Sequence, residues 1–241
     1  MQSKEKYIYR FGNRAVDGDE SMCELLGGKG AGLAEMTRLS IPVPPGFTIG
    51  TNACRYYLKH GALPADFADE LAAAMRWLEE SVGRDFNDEH NPLLVSVRSG
   101  AVVSMPGMMD TILNVGLTPN GVTGLAKESG SLRFALDSYR RLLQMMGTVV
   151  LQVPRKKFDA ALETARAKDG VSADSALSEA TLKEVAERFK QVIVHCAGRS
   201  LPEDANEQLL LAIHAVFDSW ENERARYYRQ LHGISDHLGT A

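Results

Sequence analysis

Very little in the composition of this chain points to a specialised chemistry. Its three cysteines, Cys23, Cys54 and Cys196, are odd in number and far apart, with none of the short spacings of a metal site or a redox pair. They read as reduced thiols, as expected of a cytoplasmic protein. The six histidines are scattered; His195 adjoins Cys196, but no second ligand pair stands at metal-binding spacing. No metal ligand and no nucleophile motif is therefore assigned. No apolar run approaches the ~20 residues needed to cross a bilayer, and Met1–Lys6 lacks the apolar core of a signal peptide. Charge of either sign is hardly in excess, with 27 basic against 31 acidic residues and a net charge of -4. That balance argues against nucleic acid or an anionic membrane as the main partner. At 241 residues, 44% hydrophobic and 24% charged, the chain suffices for one large domain or two small ones.

Glycine is not scarce, and it is clustered. In residues 94–114 a short apolar run, Leu93, Leu94, Val95 and Val97, reads as a buried strand that ends on Arg98. A loop of small residues follows: Ser99, Gly100, Ala101, Ser104, Pro106 and Gly107. Backbone N–H groups with so little side-chain bulk around them can approach phosphate oxygens, and an arginine beside them adds a forked cationic donor. Met105, Met108 and Met109 sit in or next to this loop, where a plain connector would be polar. Two readings of them stay open: a mobile lid over a ligand, poorly ordered when empty, or flexible side chains filling gaps in a core.

The second cluster, Gly27-Gly28-Lys29-Gly30-Ala31-Gly32, runs into a helical pattern with apolar Leu33, Met36 and Leu39. Glycines before a helix leave its first N–H groups open to an anion, and Lys29 adds a full charge there. Neither the Walker nor the dinucleotide glycine pattern fits, because no Gly-Lys-Ser/Thr follows and Leu33 and Glu35 stand where a third glycine belongs. An ordinary solvated lysine is the alternative.

Strands are expected at 7–11, 47–49 and 93–98, with a stiff extended connector at 41–46. Thr51 is expected to cap a helix through Lys59 that Gly61 ends. A helix over 65–82 should carry Phe67, Leu71, Met75 and Leu78 on one face. Beyond Pro119 the pattern turns helical, with helices expected at 119–129, 131–147, 155–168 and 179–197 and a long one from about Pro202 to Leu231. In the second of these, Arg133 and Arg140 lie on one face and Arg141 can pair with Asp137 one turn back; they form either a solvated basic face or a set aimed at a ligand. The expected fold class is α+β: an α/β subdomain from 1–118 with 204–241, and a helical insertion at 119–203.

Several runs together resemble the amino-terminal nucleotide-binding region of pyruvate, phosphate dikinases. They are Leu25 to Met36, Val43 to Thr48, Asn91 to Ala101, Ser104 to Asn114, Arg133 to Arg141 and Val216 to Trp220. The Ser-Met-Pro-Gly-Met-Met-Asp-Thr run from Ser104 to Thr111 is specific; the related phosphoenolpyruvate synthases carry a different loop there. The resemblance implies a partial ATP-grasp-type fold and the reaction of ATP, phosphate and pyruvate to AMP, pyrophosphate and phosphoenolpyruvate. It implies a phosphohistidine on a separate swivelling domain as the carrier, and Mg2+ entering with ATP. By position, Lys29 and Arg98 match the triphosphate-binding lysine and arginine, as the catalytic pair. Gly100, Ala101, Ser104, Met105, Pro106 and Gly107 match the loop over the phosphates, and Arg141 an arginine of the same cleft. The parent is expected to be a homodimer whose other domains bind pyruvate. Val102 departs from the arginine usual after Ser-Gly-Ala, and the sequence stops at Ala241 where family members continue. The chain is therefore expected to be a fragment, inactive alone. The alternative is a stand-alone, non-catalytic module of the same fold that binds a phosphorylated ligand or a partner.

Overall fold

The computed structural model describes residues 5–241; Met1–Lys4, part of the N-terminal stretch read above, lie outside the described residues. The fold is α+β, mostly helix, with two two-stranded sheets among the described residues. Internal packing divides the chain into two compact units: Met1–Gly83 with Arg98–Asp110 and Val216–Ala241, and Arg84–Val97 with Thr111–Ala215. These boundaries differ from the expected 118/119 and 203/204. Residues 84–97, 111–118 and 205–215 join the helices because their bonds go there. Arg84 Nη1 donates to Glu128 at 2.9 Å, Asn114 Nδ2 to the Ser138 carbonyl at 3.3 Å, and Gln208 Nε2 to the Pro202 carbonyl at 3.0 Å.

In the first unit, β1 (Ile8–Phe11) pairs antiparallel with β2 (Gly46–Ile49), Ile8 facing Ile49 and Phe11 facing Gly46. Glu70 of α3 (Phe67–Val82) accepts the N–H groups of Tyr7 and Ile8 at 2.8 and 3.0 Å, which satisfies backbone donors at the start of the strand. The expected stripe of Phe67, Leu71, Met75 and Leu78 is buried. Asp17 holds the other end of β1, accepting from the Arg10 backbone and side chain and pairing with Lys6 at 3.2 Å.

Helix α1 (Cys23–Arg38) differs from its expected form. The glycine cluster lies inside the helix, and the buried face consists of Leu26, Gly27, Gly30, Ala31 and Ala34, while Met36 and Leu39 are exposed. This small-residue face lets β2 come close: a Cβ at Gly30 would stand 2.8 Å from the Thr48 side chain. The helix also breaks. Gly27 sits at φ 65 and ψ 164, so two helical pieces meet there and a second helical start follows at Gly28. A Cβ on Gly27 would lie 1.9 Å from the Gly100 carbonyl oxygen.

Helix α2 (Thr51–His60) ends at left-handed Gly61, as expected. Thr51 is not its cap, however. Gly50 holds that position, and the Thr51 hydroxyl donates to the Glu24 carbonyl at 2.8 Å, a use of the side chain that its sequence neighbours do not reveal.

The second unit holds β3 (Val95–Arg98, whose last residue belongs to the first unit), β4 (Thr111–Val115), α4 (Gly121–Ser129) and α5 (Leu132–Met145). It also holds α6 (Arg155–Asp169) and α7 (Glu179–Ala197). Helix α5 packs on α4, α7 and β4, and continues into a π-helical turn, Met146–Val150. Gly147 in that turn admits Phe158, which a Cβ would meet at 2.5 Å. β4 was not foreseen; its residues read as the tail of the loop.

The long terminal helix is broken into α8 (Ala205–Asp218), a 3-10 turn at Ser219–Glu221 and α9 (Glu223–His232). Asn222 starts α9 by accepting the Ala225 N–H at 2.7 Å. Arg229, 1% exposed, lies over the Trp220 ring at 4.1 Å, donates to the Trp220 carbonyl and bonds Asp236 at 2.7 Å. Trp220 is fully buried beneath it.

Two expectations follow. Gly27→Ala adds left-handed strain and a clash with backbone, so it should lower stability by about 3 kcal/mol in urea unfolding, whereas Gly32→Ala, at an open helical position, should raise it by about 0.5–1 kcal/mol. A Gly27→Ala chain as stable as the parent would remove the crossing from the account. The second concerns acid. Burial alone would raise the Asp17 carboxyl, but the Arg10 side-chain and backbone donors and Lys6 outweigh it and hold it at about 2. A depressed carboxylate stabilises above its unfolded value and loses that contribution as pH falls through the folded one. The chain should therefore lose stability between about pH 4 and pH 2, and Asp17→Asn should flatten that limb in pH-dependent unfolding. An unchanged acid limb in Asp17→Asn would refute the assignment.

Candidate functional site

The break in α1 sets the site. Because Gly27 turns the chain, the second helical piece presents its first N–H groups beside the loop that follows β3. The Gly28 N–H donates to the Ala101 carbonyl at 3.0 Å, which pins the loop to the helix start. Lys29, on the exposed side of this start, donates from Nζ to the Ser99 carbonyl at 2.8 Å. Lys29 and the residue after Arg98, seventy positions apart, are thus in direct contact. Arg98 itself is exposed, with no hydrogen-bond or ion-pair partner among the described residues. The Lys29 ammonium, the exposed Arg98 one residue before its acceptor and a helix start whose Gly28 N–H is held by the Ala101 carbonyl belong to one stretch of helix and loop, a composition from which an anion site can be built.

The loop is built differently from an open lid. Ala101 and Met105 are buried with Trp220 and Ala225, and Met108 and Met109 pack against that cluster. The Met108 carbonyl accepts from Asn222 Nδ2 at 2.9 Å, and its N–H donates to the Met105 carbonyl at 3.2 Å. The methionines therefore fill the core, and the reading of the whole segment as a mobile lid is corrected: apolar anchors and hydrogen bonds hold it at both ends. Ser104, Pro106 and Gly107 remain exposed at its crest, while Met105, expected at the ligand, points its side chain into the cluster. Gly100 is buried and its N–H is already engaged, donating to the Ala241 carbonyl at 2.8 Å and to Thr240 Oγ1 at 3.1 Å. Its carbonyl accepts the Ala241 N–H at 3.0 Å. Val102, half-buried, occupies the position where a cation was expected.

In the second unit the three arginines of α5 separate into two kinds. Arg133 donates to the carbonyls of Asp174, Ser175 and Leu177, and Arg140, 3% exposed, donates to Asp137 at 2.6 Å and to Gln144 at 3.3 Å. Both hold structure. Arg141 bonds Asp137 from Nε at 2.9 Å, the pairing expected from its spacing, and its side chain stays 60% exposed. It lines an open groove of ≈ 530 Å³ with half-exposed Phe134, Asn114, Gln144 and Arg155. Asn114 in that wall has φ 61, a left-handed value for a non-glycine strand residue.

Sequence reasoning missed three supports of the site. Asn222 carried a readable signal, since an asparagine before Glu-Arg-Ala marks a helix start. Gly27 as a hinge and Thr240–Ala241 as partners of Gly100 carried none, because both depend on chain segments far apart in sequence. Cys54, fully buried, touches the same terminal segment; burial pushes its thiol up to about 12, although the Thr240 N–H directed at it works the other way. Tyr57 nearby is also raised to about 12, by burial first and then by Asp218.

Among the described residues no three His, Cys, Asp or Glu side chains group as a metal site would require, and no helix is long and apolar enough to cross a membrane.

The family model for the pyruvate phosphate dikinase AMP/ATP-binding domain matches residues 23–74 and 60–241. The chain is 47% identical to rice pyruvate, phosphate dikinase 2 over 97% of its own length and 26% of the relative's. It is 46% identical to the chloroplastic maize pyruvate, phosphate dikinase 1 and 47% to the chloroplastic Arabidopsis enzyme, over 100% and 98% of this chain. It spans about a quarter of the length of these relatives. A family model that covers residues 23–241 and relatives 46–47% identical along nearly the whole chain lead to one assignment: the chain belongs to the pyruvate, phosphate dikinase family, in its AMP/ATP-binding domain.

Proposed function

We propose that the chain is the ATP-binding part of a longer pyruvate, phosphate dikinase and forms part of an ATP-grasp-type nucleotide fold. In this reading the parent converts ATP, phosphate and pyruvate to AMP, pyrophosphate and phosphoenolpyruvate, through a phosphohistidine on a domain beyond these residues. Its partners are that domain, the pyruvate domain and, as a homodimer, a second copy. The observation that carries the reading is the 2.8 Å contact of Lys29 Nζ with the Ser99 carbonyl, one residue from unpaired Arg98. The ammonium rests on a neutral acceptor. A triphosphate offers charged oxygens at the same place, and a charge-assisted bond is about twice as strong as a neutral one. Lys29 would exchange Ser99 for phosphate, Arg98 would supply its fork, and the helix start after Gly27 would face the remaining oxygens. Gly100, Ala101 and Met105 shape the loop from within, whereas Ser104, Pro106 and Gly107 meet the nucleotide from the exposed crest. Arg141 contributes through its free Nη groups.

Phosphoryl transfer depends on positioned cations more than on covalent help from protein. Mg2+ would arrive with ATP. The residues present do not fit a magnesium site of their own, since no three carboxylates converge among those described. A non-catalytic phosphate-binding module is the second reading, favoured by Val102 where a cation was expected.

The chain alone should bind MgATP no more tightly than roughly 1 mM, about -4 kcal/mol, and catalyse no AMP-forming exchange. Lys29→Ala and Arg98→Ala should each weaken this by about tenfold, the scale of one charged hydrogen bond. A titration followed by amide NMR shifts measures such weak binding. Affinity indifferent to both substitutions would overturn the site, and micromolar binding abolished by either would show that the nucleotide site is complete within these residues.

A further inference from the structure

Thr240 and Ala241 together engage both backbone groups of Gly100, in the loop after β3. Thr240 is fully buried. Its Oγ1 accepts the Gly100 N–H at 3.1 Å and donates to the Ala241 carbonyl at 3.2 Å. The Gly100 N–H is shared between that hydroxyl and the Ala241 carbonyl, and the Ala241 N–H returns to the Gly100 carbonyl. On the other side, the Thr240 N–H is directed at the buried Cys54 thiol. Gly239, at φ 71, fits between Arg55 and Cys54, where a Cβ would meet Arg55 Cγ at 3.2 Å and Cys54 Sγ at 3.5 Å. A continuous line of contacts therefore runs from α2 through Thr240 and Gly100 to Gly27, and through Ser99 to Lys29.

We infer that Thr240 is a positioning residue for the anion-binding loop, acting through Gly100; this rests on the reading of Lys29 and Arg98 as that site. Gly100 is buried, so both its N–H and its carbonyl need partners inside the protein. The terminal segment supplies both. With the strap seated, the Gly100 carbonyl stays against Gly27 and the Ser99 carbonyl stays within reach of Lys29. With the strap released, Gly100 must turn to find water, and the loop loses the register in which Arg98 and Lys29 adjoin. Anion binding and strap seating then favour each other, as linked equilibria must.

The strap also covers a reporter. Cys54 lies beneath it with no exposed surface, so its alkylation requires the strap to lift. The test uses the whole chain with Cys23→Ser and Cys196→Ser, labelled with iodoacetamide in the presence and absence of tripolyphosphate. Thr240→Val should speed Cys54 labelling by about tenfold and weaken tripolyphosphate binding by about fivefold, the scale of one lost hydrogen bond. Thr240→Ser, which keeps the hydroxyl, should stay within about twofold of the parent in both, a rescue that a loss of packing alone would not give. In the chain with Thr240 intact, tripolyphosphate should slow labelling, and this arm holds even if Thr240→Val does not fold. Labelling no faster in folded Thr240→Val overturns the inference. So does Lys29-dependent tripolyphosphate binding that leaves Cys54 labelling unchanged, and in that case the anion site itself survives. Absence of any Lys29-dependent binding in the parent chain refutes the anion site and the positioning role together.

Discussion

The carbonyl of Gly100 and the α-carbon of Gly27 occupy a space in which no side chain fits. A Cβ on Gly27 would stand 1.9 Å from that oxygen, and the backbone at Gly27 is left-handed. Both demands exclude every residue except glycine. The crossing produces two results at once. It interrupts α1 so that a second helical start opens at Gly28, and it lays the loop after β3 against that start. Lys29 reaches Ser99, and Gly28 reaches Ala101, because the two segments touch here. The proposed anion site depends on this steric fact about two glycines.

Cations in this chain divide by what they already hold. Arg229 and Arg140, 1% and 3% exposed, spend their donors on carbonyls, carboxylates and an amide oxygen inside the protein. Removing such a partner leaves buried groups unsatisfied, at a cost of about 1–3 kcal/mol each. Arg98 and the Nη groups of Arg141 differ, being exposed and without a partner among the described residues. Lys29 is intermediate, since its bond to a neutral carbonyl is one that a phosphate can replace at a gain. Exposure and partner, more than position on a helix face, separate structural cations from binding ones.

Much of the fold was legible. Strands at 8–11, 46–49 and 95–98, the stripe on α3 and the helices of the second unit follow from period and from glycine stops, which are local signals. Residue types also pointed to Lys29, Arg98 and the loop. Three matters were hidden. Apart from Leu26, the packing face of α1 consists of Gly27, Gly30, Ala31 and Ala34, which a search for large apolar residues passes over. The methionines gave no sign whether they faced ligand or core, because thioethers suit both. The pairing of Gly100 with Ala241 spans most of the chain, and nothing local encodes it. Strand β4, only five residues long, mixes Thr111 and Asn114 with Ile112, Leu113 and Val115, and was not separated from the loop before it.

The central claim is that Lys29 gives up the Ser99 carbonyl for a phosphate oxygen at the helix start behind Gly27. A crystal structure of the chain grown with a non-hydrolysable ATP analogue tests it directly. The account predicts phosphate oxygens within hydrogen-bond distance of Lys29 Nζ and Arg98, with the Lys29–Ser99 contact opened beyond its present 2.8 Å. An analogue bound elsewhere, with Lys29 still on Ser99, would contradict it.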